Sequence, residues 1–488
     1  MRTHPHLYEI SAWPWLDRLS RRNNRTVTLA NVPDEEWDGI AQAGFDIVYL
    51  MGVWRRSAIG RLMARTDPRM LGEYDGVLPG WSMKDVPGSP YSIQAYEPDA
   101  RMGGWDGLDR AREALARRRL ALMLDFVPNH TGFDHEWVTA RPALYVEGTL
   151  DDYRRTPNNF HPIDTPDAVH FIACGRDPFF DPWQDVAQLN YFNPETREAM
   201  IGVLQTIAQH ADGVRCDMAM LVLNDVFQQT WGHTIDLLWT GPSQEFWPEA
   251  TRQVAQLTYL AEVYWDREWQ LQQQGFAYTY DKRLLDRLHQ GSASAVRGHL
   301  QADASFTAKL ARFLENHDEA RAAATFGARL PAAVAVALTS PGMRFYYDGQ
   351  LDGAEIKSPV QLGRWPDEPA RAPIHDLYDR ILRTTNRALF HDGTWELLGV
   401  YGAGDTTYDD LVAFSWRKGS EHAVIAANVS NHEAHGLVQL GAVPHAPAFS
   451  FNDQLSDQRY RWAREDLKDG LYVRLDAGAA HLFVVELA

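Results

Sequence analysis

The chain has 488 residues, about three times the ~150 typical of one domain, so two or three domains around a large core are expected. A net charge of −18 argues against a nucleic-acid groove or an anionic membrane surface and suits an uncharged ligand that needs no charge steering. Two cysteines, Cys174 and Cys216, cannot build a disulfide framework, and Cys216 reads as a small core residue. The first ten residues lack the apolar segment of a signal peptide, and the longest apolar run, Pro331 to Leu338, is far too short to span a bilayer. The expectation is a cytoplasmic protein with no membrane or nucleic-acid partner. Seventeen tryptophans offer flat faces of the kind that stack on sugar rings, although most must serve the core of so large a chain.

Leu7 to Ser11 starts as a strand. Pro33-Asp-Glu-Glu36 is a helix start, with proline early and acids in the first turn, and that helix runs to a stop at Gly44. Phe45 to Met51 is apolar throughout, as a strand buried on both faces must be. A loop of about forty residues rich in Gly, Pro and Trp is expected next. Trp105 to Arg119 reads as a helix and Leu120 to Val127 as the following buried strand. The alternation then stops for some sixty polar residues and resumes with the helix Pro194 to His210 and the strand within Ala211 to Met220. A helix within Ser243 to Leu257 leads to the strand Thr258 to Tyr264. Trp269 to Gln274 and Leu284 to Leu310 read as helical, with Phe276 to Tyr280 and Ala311 to Leu314 as strands. The helix Pro331 to Thr339, the strand Met343 to Tyr347 and a helix from Ile374 to Leu389 complete the series.

Eight strand-then-helix units predict an α/β fold, a (β/α)8 barrel formed by residues 1–130 and 191–391, because parallel strands need helical crossovers. Residues 131–190 are expected to form a subdomain inserted after the third strand. From 392 to 488 short alternating runs, such as Leu411 to Ser415 and His481 to Val485, predict a separate antiparallel β-sandwich.

In such a barrel, chemistry gathers where the strands end. The third strand ends Asp125-Phe-Val-Pro-Asn-His130, the fourth carries Arg215 and Asp217, the fifth ends in Glu262, and the seventh ends Glu315-Asn-His-Asp318. Arg215 and Asp217, two apart on a strand, share a face. Alone they could be a structural ion pair. Four acid-loaded strand ends at one mouth would repel by several kcal/mol unless the site uses them. The histidines do not have zinc-site spacing, so no metal is expected from the pattern itself.

These four blocks, Asp125 to His130, Gly213 to Asp217, Glu262 and Asn316 to Asp318, resemble in order and strand placement the conserved regions of the α-amylase family, glycoside hydrolase family 13. The insertion matches that family's domain B, and Ala187-Gln-Leu-Asn190 resembles its extra region. The resemblance implies a retaining glycosidase acting on α-glucosidic, α-1,4-type bonds of a small carbohydrate such as a malto-oligosaccharide, with a transglycosylase of the same family as the alternative. It implies Asp217 as nucleophile, Glu262 as general acid/base and Asp318 as a third acid on the sugar hydroxyls. Tyr91, His130, Arg215 and His317 would bind substrate, Arg215 holding Asp217 ionised by lowering its pKa. No cofactor is required; the position of Asn129 corresponds to a calcium ligand in many amylases, so calcium is the one ion the resemblance suggests. Trp54 and Trp81 are candidate sugar platforms. Met220 and Leu221 stand where amylases often carry Lys and His on the leaving-group side, which leans toward an unusual acceptor.

Overall fold

Eight strands close into a parallel barrel in the computed structural model, which describes residues 2–234, 241–441 and 446–487. They are β1 (His6–Ser11), β2 (Ile47–Met51), β3 (Ala121–Phe126), β4 (Gly213–Cys216), β5 (Thr258–Ala261), β6 (Tyr278–Tyr280), β7 (Leu310–Arg312) and β8 (Met343–Tyr347). Each pairs in parallel with its neighbours in chain order, and β8 returns to β1. All five residues of β2 and all five of β8 are buried, which is why their sequences show no polar alternation. Most helices between strands are amphipathic and lay an apolar stripe on the barrel. In Gly104–Arg117, for example, Leu108, Ala111 and Leu115 face inward at helical spacing.

The long stretch after β2 is not a loop. Trp54–Arg56 pairs antiparallel with Ile93–Pro98, and between them lie helices Ala58–Ala64 and Pro68–Val77. Their starts are written locally: Ser57 accepts from the Gly60 N–H and Asp67 from the Arg69 N–H, with Pro68 at the first helical position. The helical region before β7 is broken into Lys282–Gln290, Ala293–Leu300 and Ala304–Thr307, the first stop being Gly291 at φ +70°.

Strands from the segment after β3 form their own antiparallel sheet, in the order 130–132, 183–188, 169–175 and 147–148, with 160–164 also on 169–175. Beyond the barrel lie a six-stranded antiparallel sheet and a three-stranded one, between 394 and 487. Helix Leu330–Thr339 is apolar on every side and buried over nearly its whole length. It lies between the barrel and strands 421–428 and 480–487, and the Trp416 indole N–H donates to the Thr339 carbonyl at 2.7 Å. Together with the turns before it, the helix makes an apolar stretch, 322–339, long enough by length and composition to cross a membrane, but two thirds of it is buried inside the protein.

Candidate active site

The backbone ladder sets the site. Asp217 and Glu262 each stand one residue past the last paired register of β4 and β5. Their own N–H groups continue the ladder, Asp217 to Phe126 O at 2.9 Å and Glu262 to Cys216 O at 3.0 Å. Both carboxyl groups are thus placed by strands rather than by loops. Arg215 lies two residues before Asp217 on the same face and is fully buried. Its Nη1 donates to Asp217 Oδ1 at 2.8 Å, its Nε to the Tyr280 hydroxyl at 3.3 Å, and its Nη2 sits 2.9 Å from Glu262 Oε2 and 3.9 Å from Asp318 Oδ2. The Nη2 contact to Glu262 is an ion pair without hydrogen-bond alignment.

Glu262 is also gripped by the Met218 N–H at 2.8 Å and by the Tyr264 hydroxyl at 2.8 Å. Met218 reaches it from a left-handed backbone, φ +41°, a conformation that costs a non-glycine residue of order 1 kcal/mol or more.

One guanidinium therefore serves three carboxylates. Burial, then the Glu262 carboxylate, push the Asp217 carboxyl up to about 7, against the lowering pull of Arg215. The expected depression by Arg215 is present but outweighed: the cation is shared, and desolvation of the strand end is the larger effect. The consequence suits acid/base chemistry, because burial and the neighbouring Glu262 carboxylate place the Asp217 proton exchange near neutral pH.

On the other flank His317 lies fully buried, its Nδ1 bonded to Glu9 and its Nε2 2.9 Å from Asp318 and 2.6 Å from the Tyr91 hydroxyl. Burial alone would lower its pKa, but the two carboxylates outweigh it and raise it to about 10, so the ring is an imidazolium. That cation, with Arg215 and Lys357, holds the Asp318 carboxyl below the usual carboxylate range despite the opposing effect of burial. Tyr91 stacks on His317 at 5.4 Å, and the Arg215 guanidinium lies 5.3 Å from its ring centre. His130 bonds the Tyr91 backbone and meets Trp183 edge-on at 5.5 Å; burial lowers its pKa to about 4 and leaves it neutral. Asp217, Glu262, Asp318, Arg215, Tyr91, His130 and His317 are thus all brought to one mouth.

Other expectations change. Asp125 accepts from the Tyr49 hydroxyl and from the Gly52 N–H at 2.6 Å, so it ties β3 to the end of β2, as its strand-organising reading implies. Trp54 is fully buried and donates to the Asp125 carbonyl, so it is no sugar platform, and Trp81 packs on Tyr74 in a separate small cluster. Met220 and Leu221 are core residues, buried in the turn after β4, and face no acceptor.

At Asn129 the donor set does not fit a calcium ion. The Gln188 amide nitrogen lies 2.9 Å from Asn129 Oδ1, 3.0 Å from the Asn129 carbonyl and 3.1 Å from the Leu189 carbonyl, so an N–H donor stands where three oxygens converge. Two of those oxygens are backbone carbonyls, which fixes the orientation of the amide. Its own oxygen accepts from Asn129 Nδ2 at 3.1 Å and from the Arg176 N–H. Among the described residues no group of three or more His, Cys, Asp or Glu side chains could hold a metal.

Sequence reasoning missed Glu9, Tyr264 and Tyr280, all in contact with the charged cluster. Glu9 carried a usable signal, a lone acid inside an apolar strand. The two tyrosines carried none, since a tyrosine in a barrel strand or after one is ordinary core material.

The α-amylase catalytic-domain model matches residues 83–358, more than half of the chain. Alpha-amylase 3 of Dictyoglomus thermophilum is 24% identical over 319 residues, 60% of this chain, and the match spans 59% of that relative's length. Among solved structures, the noncanonic maltogenic α-amylase AmyB of Thermotoga neapolitana superposes with a TM-score of 0.70 at 16% identity, covering 100% of this chain and 99% of that one. The acarbose complex of the Geobacillus thermoleovorans α-amylase gives 0.66 at 18%, with 100% and 99% covered. A closed (β/α)8 barrel whose strand ends converge on one guanidinium and three carboxylates defines an amylase-type glycosidase architecture. The chain belongs to the α-amylase family of glycoside hydrolases.

Proposed function

We propose that the protein is a retaining hydrolase of α-glucosidic, α-1,4-type bonds in oligosaccharides. The observation that carries this is the single buried Arg215, which holds Asp217 on one nitrogen and Glu262 on another. In a retaining glycosidase one of two such carboxyl groups attacks and the other protonates, and the shared guanidinium holds both at the same mouth. Asp217 attacks the anomeric carbon and forms a glycosyl-enzyme ester. Glu262 gives its proton to the departing oxygen, then takes one from the incoming water.

Asp318, fixed by the His317 imidazolium, accepts hydrogen bonds from hydroxyls of the bound sugar as positive charge develops on its ring. Tyr91 supplies the flat floor. His130, neutral, can either donate to a hydroxyl or accept from one. The role of Arg215 is to oppose the burial that raises Asp217 and so favour its ionised, attacking form. Met220 and Leu221 are buried and present no surface to a sugar acceptor, and the proposed reaction is hydrolysis rather than transfer.

No calcium is assigned a role, given the amide at Asn129. Buried, unpaired Cys174 and Cys216 accord with a reducing compartment, on which a cytoplasmic location is proposed.

Proton NMR of the first product from maltotetraose tests the scheme: an α-configured product is expected, and a β-configured first product would sink it. Product analysis in the presence of excess glucose or maltose tests hydrolysis against transfer, with elongated products the outcome against hydrolysis.

A further inference from the structure

Arg56, just past β2, is a buried guanidinium without an anion. It is 5% exposed, and among the described residues no carboxylate stands in ion-pair contact with it. The two acids that act on it from farther off are engaged elsewhere. Asp99 is bound by Arg101 at 3.2 Å, and Asp125 by Tyr49 and the Gly52 N–H. Arg56 Nη1 donates to the Gly88 carbonyl at 2.5 Å, but its Nε is buried with no acceptor. The Trp13 ring lies 5.3 Å from the same guanidinium, and its indole N–H is likewise buried with no acceptor. Burial lowers the pKa of Arg56 to about 9, which still leaves it a cation near neutral pH. Neutral carbonyls can satisfy its hydrogen bonds, but a buried charge also calls for a counter-charge.

A small cavity adjoins this cation. It is lined by Arg56, by the strand-end residues Ser11, Met51 and Tyr347 of β1, β2 and β8, and by Ser358 and Trp365 from the segment after β8. It has room for one water-sized occupant. No carboxylate lines it, and none of the residues that hold Asp217, Glu262 or Asp318 does so either. Its polar lining is rich in donors. The Ser11 and Tyr347 hydroxyls share one hydrogen bond at 3.0 Å, so one of their two protons is left to donate elsewhere. Ser358 and Trp365 also line an open cleft between helix Ala12–Asn23 and the segment 348–369, which gives the cavity a neighbouring route to solvent.

We propose that this cavity is a halide site, filled by chloride under ordinary conditions and held by Arg56 together with the hydroxyls of Ser11, Tyr347 and Ser358. A single-atom anion fits by size, whereas phosphate, sulfate and carboxylates do not. Water would satisfy the donors and leave the charge of Arg56 unanswered. The ion fixes Arg56, and the Arg56 bond to Gly88 then steadies the turn that presents Tyr91, three residues on. The site itself is independent of the glycosidase reading; the link to Tyr91 as sugar floor rests on it.

The first test soaks crystals of the wild-type protein in sodium bromide and collects anomalous scattering at the bromine edge. A bromide peak in the cavity, within hydrogen-bond reach of Arg56, is expected; water alone there overturns the site. The second follows thermal unfolding in sodium chloride against sodium gluconate at equal ionic strength. Chloride should raise Tm by about 2 °C in a saturable way. Arg56→Met should lose that response. Ser358→Val, which fills the cavity and leaves the guanidinium in place, should lose it too and keeps the test open if Arg56→Met does not fold. Bromide in the crystal with no Tm response in solution is an adventitious ion only and overturns the proposal, as does a response that persists in Ser358→Val. Replacing chloride by gluconate should raise KM for an aryl α-glucoside by about fivefold, the lower end for coupled sites, and an unchanged KM overturns the link to Tyr91. If no glucoside is turned over, the glycosidase reading fails, while the bromide and Tm results still decide the site.

Discussion

The chain buries two arginine–aspartate pairs at opposite settings. Behind the barrel wall, Arg312 and Asp281 are both sealed from solvent; Asp281 also receives His299 and the Leu284 N–H. Burial opposes ionisation there, but Arg312 and His299 outweigh it and Asp281 is drawn down to about 2. At the mouth, Arg215 and Asp217 make the same kind of contact, and Asp217 goes up to about 7. The difference is stoichiometry. Asp281 has the Arg312 guanidinium to itself, with the His299 ring beside it, whereas Asp217 shares one guanidinium with Glu262 and Asp318. An ion pair whose cation is undivided stabilises the fold; one whose cation is shared among carboxylates leaves an aspartate that binds a proton near neutral pH.

The sharpest break of this comparison exchanges each aspartate for asparagine. Asp217→Asn should lower kcat on an aryl α-glucoside by on the order of 10⁴-fold or more, as removal of a nucleophile does, while the fold persists. If turnover survives, the mechanism above is wrong. Asp281→Asn should act oppositely, costing roughly 3–5 kcal/mol of stability in denaturant melts by orphaning Arg312. Equal stability losses in the two variants would erase the distinction between the pairs.

The pH dependences come next in size. Asp217 is raised, so its ionisation is disfavoured in the folded state: stability should decline as pH rises from about 4 to about 7 and level off above that. Asp281 is lowered, so its contribution is present above about 4 and is lost as pH falls toward about 2. Glu262→Gln takes away the neighbouring carboxylate that raises Asp217, so the Asp217 titration followed by NMR should move to lower pH. A titration of Asp217 that stays near pH 7 in that variant would contradict the coupling.

A smaller effect is expected from Glu9→Gln, which leaves His317 with one carboxylate in place of two. Its imidazole should then titrate at lower pH by NMR, and kcat/KM should fall by roughly tenfold as Asp318 loses part of its support. The smallest shift concerns calcium: EDTA should move the wild-type Tm by less than about 1 °C, whereas Gln188→Glu should gain a calcium-dependent rise of a few degrees. A wild-type Tm that drops several degrees in EDTA would refute the amide assignment.

The strands carrying Asp217, Glu262 and Asp318 were legible because buried barrel strands are apolar runs, and a charge at their ends breaks the run visibly. Helix Pro194–His210 and strand Met343–Tyr347 were legible to the residue for the same reason. The helices at 58–64 and 68–77 were not, because they are short and set among Gly, Pro and Trp, with only Ser57 and Asp67 to announce them. The direction of the Asp217 shift was also hidden: a sequence displays the partner of a charge but not how many others share it. Met220 and Leu221 misled for a related reason. Position after the nucleophile predicts a neighbour along the chain, and the tight turn at Met218 sends that neighbour into the core.

The helix Leu330–Thr339 bears on how this molecule can be dissected. Its partners on one side are the barrel and on the other the C-terminal strands, with the Trp416 indole pinned to its last carbonyl. A shortened protein ending near residue 391 would bare a helix made almost wholly of Ala, Val and Leu, with no polar face to turn to water. Such a fragment should precipitate rather than work, which makes the C-terminal sheets the barrel's solubility device as much as an attached domain.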